Sequence, residues 1–295
     1  MPFDFTNNPD LFPAYYEKVF LTYLRENVVT MAYGQKGTIG LNNGRVINWL
    51  RMSPLAVATT PITGLPTPSG VTPSNDKVTA TLEEYGNLLD LDEFATLTSY
   101  YPVLREFADL LGENAVQTLE AINFAKLKAG TKVMYAGSVA NQEALDGTKL
   151  ISKSDIRALY ARLRTLKVPT FSDGTYKCFI HPDKILNLFT DAELIQLAAA
   201  KPEAVEKGYI GTFCNVTFIE TANAPIVTNA TTEKNVYQTI VVGQNAYGVV
   251  DLNGKQFSLG FTRTDKMDRV QTQYWKGYYA CERLEEDRVL RFESN

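Results

Sequence analysis

Residues 45–86 read RVINWLRMSPLAVATTPITGLPTPSGVTPSNDKVTATLEEYG, and the organisation of the chain follows from how this stretch divides. Arg45 to Met52 is rich in β-branched and aromatic residues and alternates imperfectly, which predicts a strand. Lys77 to Gly86 sets Val78, Ala80 and Leu82 against Thr79, Thr81 and Glu83, which predicts a second. Between them, Ala56 to Asp76 holds Pro61, Pro66, Pro68 and Pro73 with Gly64, Gly70 and several threonines. Proline removes the ladder donor, so this part cannot be a central strand, and it shows no helical period. Two strands joined by about twenty polar, proline-rich residues make a long protruding loop, of a kind that usually contacts something. The alternative is a disordered surface insert.

Beyond the second strand, Leu89-Asp90-Leu91-Asp92-Glu93 clusters carboxylates without the glycine or the ligand spacing of a calcium loop. It reads as the solvated lead into the long helix that follows, where acids suit the positive end of the dipole. From about Pro102 to Lys128 the period becomes 3.6, with Leu104, Phe107, Ala108, Leu111, Ala115, Leu119, Ile122 and Ala125 on one face. Ser99 lies in the cap region and Gly130 is a stop. Such a helix is about 40 Å long at ~1.5 Å per residue, enough to brace a domain. Gly112 weakens its centre by about 1 kcal/mol relative to alanine.

Residues 131–152 read as loop. A second amphipathic helix starts near Lys153, with Ser154 and Asp155 as caps, and carries Ile156, Leu159, Tyr160, Leu163 and Leu166. Tyr176 to Ile180 reads as a buried strand that His181-Pro182-Asp183 turns into a short helix, followed by another from Asp191 to Ala200. Beyond Gly208 the pattern is mostly β, with Val216, Phe218 and Ile219 in one strand and Val236 to Val242 in another. Gly243, Gly248 and Gly254 punctuate the turns, and Val270 to Phe292 folds back near Glu285-Glu286-Asp287. The order of elements predicts an α+β fold. On the other side of the hairpin, residues 1–45 read as an arm anchored by Phe3, Phe5, Phe12, Tyr15, Tyr16, Phe20 and Tyr23. A helix from about Pro13 to Val28 would place these aromatics either on their own domain or on a neighbouring subunit.

Composition excludes several classes. The chain has 295 residues, 45% hydrophobic and 21% charged, as expected of a folded protein with a substantial core. Its 29 Lys and Arg against 33 Asp and Glu give a formal charge of −4, with no basic excess, whereas a protein that grips phosphates should be more basic. The longest apolar runs, such as Leu194 to Ala200, fall far short of a membrane span, and residues 1–20 lack the basic start and apolar core of a signal peptide. Cys178, Cys214 and Cys281 have no CxxC spacing, so neither a disulfide framework nor a zinc site is expected. Phosphate-loop, dinucleotide and nucleophile-elbow patterns are absent, and no cofactor or metal is expected. His181, the single histidine, sits at a strand end before Pro182, where a structural hydrogen-bonded role outweighs a catalytic one. An arm, a long hairpin, a bracing helix and a late β region suit a subunit of a homomeric shell.

Five segments, in order, carry a resemblance to the major capsid proteins of tailed bacteriophages, in the branch named after the coliphage N-four structural protein (gp-fifty-six type). Ala58 to Gly64 with Pro66 and Pro68 looks like that family's PLTEG-x-P loop, and VTATLEEYG at 78–86 is similar to its second loop strand. YKCFIHP at 176–182 resembles Y-x-x-x-I-H-P, and GYIGTFCNVTFIETANA at 208–224 resembles GEIG-x-x-x-G-x-x-F-I-E-T-x-x-A. Val236 to Gly248 is similar to the segment ending in AYG. Tyr209 replaces a usual Glu, and Asn215 stands where Gly is common, which bears on the turn geometry there.

The resemblance implies the HK-97-like capsid fold: an N-arm at 1–42, an extended E-loop hairpin at 43–95, and a P-domain with a long spine helix at 96–175. The A-domain would occupy mainly 176–260, and C-terminal strands at 261–295 would return to the P-domain. It implies a non-enzymatic subunit that self-assembles through hexamers and pentamers into an icosahedral shell around double-stranded DNA. Portal, scaffolding or decoration proteins would be partners, with packaged DNA held non-specifically and no membrane. The subunit would reside in the virion, after assembly in the host cytoplasm. Inter-subunit contact is expected of Phe12, Tyr16, Phe20, Trp49, Pro61, Ile62, Leu65, Pro66, Pro68, Val71 and Pro73. The alternatives are an encapsulin-like protein compartment and a hydrolase using His181 with Cys178 or Asp183.

Overall fold

The computed structural model describes residues 28–53, 55–59, 61, 70–99, 103–189, 211–253, 257–263 and 269–295. The first elements are β1 (Gln35–Ile39), β2 (Val46–Met52), β3 (Asn75–Thr81), β4 (Glu83–Asp92), α1 (Glu93–Thr98) and α2 (Val103–Lys128). Then come β5 (Val133–Tyr135), α3 (Lys153–Thr165), β6 (Tyr176–Ile180), α4 (Pro182–Phe189), β7 (Thr212–Phe213) and β8 (Val216–Glu220). The remaining strands are β9 (Ile226–Thr228), β10 (Asn235–Val242), β11 (Tyr247–Leu252), β12 (Phe257–Arg263), β13 (Val270–Arg283) and β14 (Val289–Ser294). The helix expected over 191–200 and most of the one expected over 13–28 lie outside the described residues.

Two sheets carry the body. In the five-stranded sheet β13 pairs antiparallel with β4 over Val270↔Asp92 to Tyr279↔Glu83, and also with β12 and β11, while β1 joins β11 in parallel. The seven-stranded sheet runs β5-β14-β10-β6-β8-β7, with β9 beside β10. The helix α2 braces both. Its buried face, including Ala108, Leu111, Ala115, Leu119, Phe124 and Leu127, packs with Phe257, Leu259, Trp275 and Tyr279 of the first sheet. At its C-terminal end Phe124 meets Phe179 of β6 edge-on, with ring centroids 5.9 Å apart. Burying side chains of this size contributes about 1.5–3 kcal/mol each, which outweighs the propensity cost of the buried Gly112. A second core lies around α3 and α4, where Ile156, Leu159, Leu163, Ile185 and Leu188 pack with Tyr176, Cys178, Val216, Val241 and Phe292.

Several local expectations change. The strand expected over Lys77 to Gly86 is two strands, parted at Leu82, whose buried side chain packs with Ile39, Ala80, Val250 and Ala280 while its N–H donates to the Arg45 carbonyl at 2.7 Å. That break transfers the chain from the hairpin to the five-stranded sheet. The acids Asp90, Asp92 and Glu93 are exposed, but residues 89–92 are the end of β4 with Leu91 buried. The helix they lead into is the short α1, capped by Asp92 accepting the Phe94 N–H at 3.2 Å, rather than α2. The cap of α3 is Ser152, reciprocally bonded with Asp155 in a capping box, because the serine must stand three residues before its acid. Gly248 lies inside β11 rather than in a turn. The two C-terminal strands part company: β13 stays with β4 beneath α2, and β14 crosses to pair with β10 and β5. At the 208–224 segment, Cys214 and Asn215 both have positive φ (50° and 57°) in a two-residue turn between β7 and β8. Such hairpin turns need that conformation at both positions, and Asn tolerates it without a glycine.

Candidate inter-subunit surface

The hairpin of β2 and β3 forms a two-stranded sheet of its own, paired from Val46↔Thr81 to Met52↔Asn75. Side chains alternate across a strand, so it has two unlike faces. One carries Ile47, Trp49, Arg51, Val78 and Ala80 and is anchored to the body. A Cβ built on Gly37 would lie 2.9 Å from Ile47 Cδ1, and one on Gly248 would lie 2.6 Å from the Trp49 ring, so both glycines leave room for the hairpin's side chains. Arg51 Nη2 donates to Glu285 Oε1 at 2.7 Å.

Among the described residues the opposite face has no such cover. Leu50 and Met52 are 61% and 70% exposed there, next to Asn48, Lys77 and Thr79. Past the last pair, Ser53 N–H donates to the Ser74 carbonyl at 3.0 Å, and Leu55, Val57, Pro61, Val71 and Pro73 stand exposed. An apolar row of this extent makes these residues candidates for contact with another surface.

Of the residues expected at contacts, Pro61, Val71 and Pro73 are exposed on the loop. Trp49 is half-buried against its own chain, because Gly37 and Gly248 open a slot for its ring. Phe12, Tyr16, Phe20, Ile62, Leu65, Pro66 and Pro68 lie outside the described residues. The exposed Val46, Leu50 and Met52 were missed. Their signal was the alternation within 45–52, which assigns them to the face opposite Trp49.

The groups considered for chemistry do not assemble into a site. His181 Nδ1 accepts the Asp183 backbone N–H at 3.2 Å, and the ring packs against Tyr237, centroid to centroid 5.1 Å. Burial pushes the thiol of Cys178 up strongly, so it stays protonated. A cleft of about 510 Å³ is lined by Tyr33, Asp173, Thr175, Lys177, Thr217 and Glu220, among others. There Lys177 is satisfied by Asp173, with Thr175 Oγ1 at 3.2 Å, and its ammonium lies over the rings of Tyr33 and Phe171. That hydrogen bond draws the Asp173 carboxyl down to about 2. The pair neutralises itself. Among the described residues no cluster of His, Cys, Asp and Glu could hold a metal ion, and no helix is long and apolar enough to cross a membrane.

This architecture, a two-stranded hairpin anchored by one face to a body of two sheets that one helix spans, coincides with one family model, that of the phage capsid proteins, which matches residues 75–289. The chain belongs to the phage capsid protein family. Among solved structures, this capsid protein is similar to the capsid of Ralstonia phage GP4, with a TM-score of 0.73 and 14% identity over 89% of this chain and 87% of that one. The capsid of cyanophage P-SCSP1u gives 0.69 and 13% over 91% and 88%. The acidic stable capsid of Helicobacter pylori bacteriophage KHP30 gives 0.66 and 11% over 91% of each. No match was found among curated proteins. The α+β, HK-97-like fold is thereby established, and the chain is a major capsid protein that assembles with its own copies into a shell. Neither the protein compartment nor the hydrolase is favoured.

Proposed function

We propose that this capsid protein tiles an icosahedral shell around double-stranded DNA, with the β2–β3 hairpin and residues 1–42 reaching onto neighbouring copies. The hairpin carries the reading: Trp49 and Arg51 hold one face on the body, while Leu50, Met52, Leu55, Val57 and Val71 present apolar surface outward. Six side chains of that kind, counting Val46, each stabilise a contact by up to about 1.5–3 kcal/mol when fully covered. Prolines in the loop lower the entropy lost when it is ordered on a neighbour. On this reading the five-stranded sheet with α2 is the peripheral domain and the seven-stranded sheet with α3 and α4 the axial one. Relative to the boundaries expected at 96–175, 176–260 and 261–295, that moves β5, α3 and β14 into the axial domain and β11 into the peripheral one. A formal charge of −4 suits a wall that confines DNA without gripping it. Portal, scaffolding or decoration proteins complete the particle, which is built in the host cytoplasm and persists as the virion, and the subunit performs no catalysis.

Sedimentation velocity and negative-stain imaging of the purified full-length protein test this reading. Shells, or hexameric and pentameric capsomers, are expected. A monodisperse monomer at concentrations up to the solubility limit would overturn it.

A further inference from the structure

The connection between β8 and β9 begins Thr221-Ala222-Asn223-Ala224, the end of the FIETANA segment, and it meets the start of the described chain at a single carboxylate. Glu120, on α2, is 1% exposed. Its Oε1 accepts the backbone N–H groups of Val29 at 2.9 Å and Thr30 at 3.4 Å. Its Oε2 accepts the Thr221 hydroxyl at 3.0 Å and the Asn223 side-chain amide at 2.9 Å. All four donors are neutral, and among the described residues no Lys, Arg or His pairs with this carboxylate. A buried charge without a counter-ion persists only while its donors are in place, because each lost donor exposes the full desolvation penalty. The donors come from segments about 190 residues apart, so neither can move without weakening the hold on the other. Next to it, Asn123 donates to Thr30 Oγ1 at 2.8 Å and accepts the Tyr279 hydroxyl at 2.7 Å, which ties the same turn to β13.

We propose that Glu120 is a clasp that fixes residues 28–33 and the β8–β9 connection as one unit, so that Thr221 and Asn223 set the direction in which the N-terminal arm leaves the body. Thr221 and Asn223 are positioning residues that act through Glu120. The proposal rests on the reading of residues 1–42 as an inter-subunit arm. It gives the E-T-x-x-A motif a physical role: Thr221 supplies a donor to Glu120, and the buried Ala224 closes the turn behind it.

Hydrogen exchange read by mass spectrometry on the full chain, as unassembled subunit, tests the clasp. In a Thr221→Val, Asn223→Ala double variant, amides of residues 29–33 should exchange about tenfold faster or more, although no substitution touches them. Those of α3, which shares no contact with Glu120, should be unchanged. Thr221→Ser restores the hydroxyl and should restore protection. If the double variant does not fold, Asn223→Ala alone, at an exposed position, should show the same pattern to a smaller degree. Faster exchange confined to residues 221–225, with 29–33 unaltered, would overturn the clasp. Failure of the wild type to assemble would count against the shell reading alone, since the exchange pattern is measured on the free subunit.

Discussion

Trp49 lies over Gly248 so closely that a Cβ at residue 248 would stand 2.6 Å from the indole ring. The contact joins β2 of the projecting hairpin to β11 of the body, and it decides which hairpin face is left uncovered. The Arg51–Glu285 ion pair supports the same placement, but its side chains are 37% and 26% exposed. Exposed pairs contribute only about 0–1 kcal/mol, so ring packing is the stronger tie.

Gly248→Ala should therefore destabilise the subunit by about 1–3 kcal/mol in urea unfolding, the usual effect of overfilling a packed site. Combining it with Trp49→Leu, which removes the obstructing ring, should give a double variant less damaged than the sum of the two single ones, with a coupling above about 0.5 kcal/mol. Additive losses would show that the ring does not occupy the space above Gly248. Arg51→Ala, by comparison, should shift stability by less than about 1 kcal/mol.

The uncovered face should behave in the opposite way. Leu50→Ser with Met52→Ser alters two exposed side chains, so unfolding of the isolated subunit should change by no more than about 0.5 kcal/mol. Assembly should nevertheless fail or need far higher protein concentration, as scored by sedimentation. Shells forming at wild-type concentration would show that this face meets solvent in the particle as well.

How much of this was legible in the chain varies by element, for physical reasons. The helix α2 could be placed almost to the residue, because a 26-residue stripe at 3.6 spacing has no competing reading. The break at Leu82 was overlooked: buried and partly buried residues fall at 78, 80 and 82, and then at 85, 89 and 91, so the strand changes its buried face, but the exposed Leu88 blurs that change in the sequence. Asp90 and Asp92 stand out as charges, whereas the strand is set by Leu89 and Leu91 beside them. Gly248 could not be understood locally, since the ring that demands it is about two hundred residues away in the chain. Glu120 was equally opaque: a lone acid on a helix looks solvated until its four donors are assembled by the fold.

Thiol chemistry offers an independent check on the packing. Cys178 and Cys281 are buried, and burial raises both thiols, that of Cys281 to about 12. Cys214 is partly exposed in the β7–β8 turn. Brief alkylation of native protein at neutral pH should label Cys214 and leave the other two unmodified until denaturant is added, as peptide mass spectrometry would show. Labelling of Cys281 in the native state would mean that the sheet beneath α2 opens readily.

Glu293, on β14, provides a test of how the seven-stranded sheet responds to pH. Its side chain is 1% exposed, Oε1 accepts from Gln238 at 3.0 Å and faces Arg291 Nε at 2.9 Å, and Oε2 has no partner among the described residues. Burial raises its pKa above the ordinary value of 4.5, and Arg291 and Gln238 offset this only in part. The folded state thus holds this proton more tightly than the unfolded chain does. The resulting stabilisation is fully present below about 4.5 and is lost as pH rises through the raised folded value. Other carboxylates titrate in the same range, so the informative quantity is the difference between wild type and Glu293→Gln. The variant keeps the acceptor for Gln238 without the charge, and its stability relative to wild type should rise with pH across that window and then level off. A difference independent of pH would mean that Glu293 is as well solvated in the fold as in the unfolded chain.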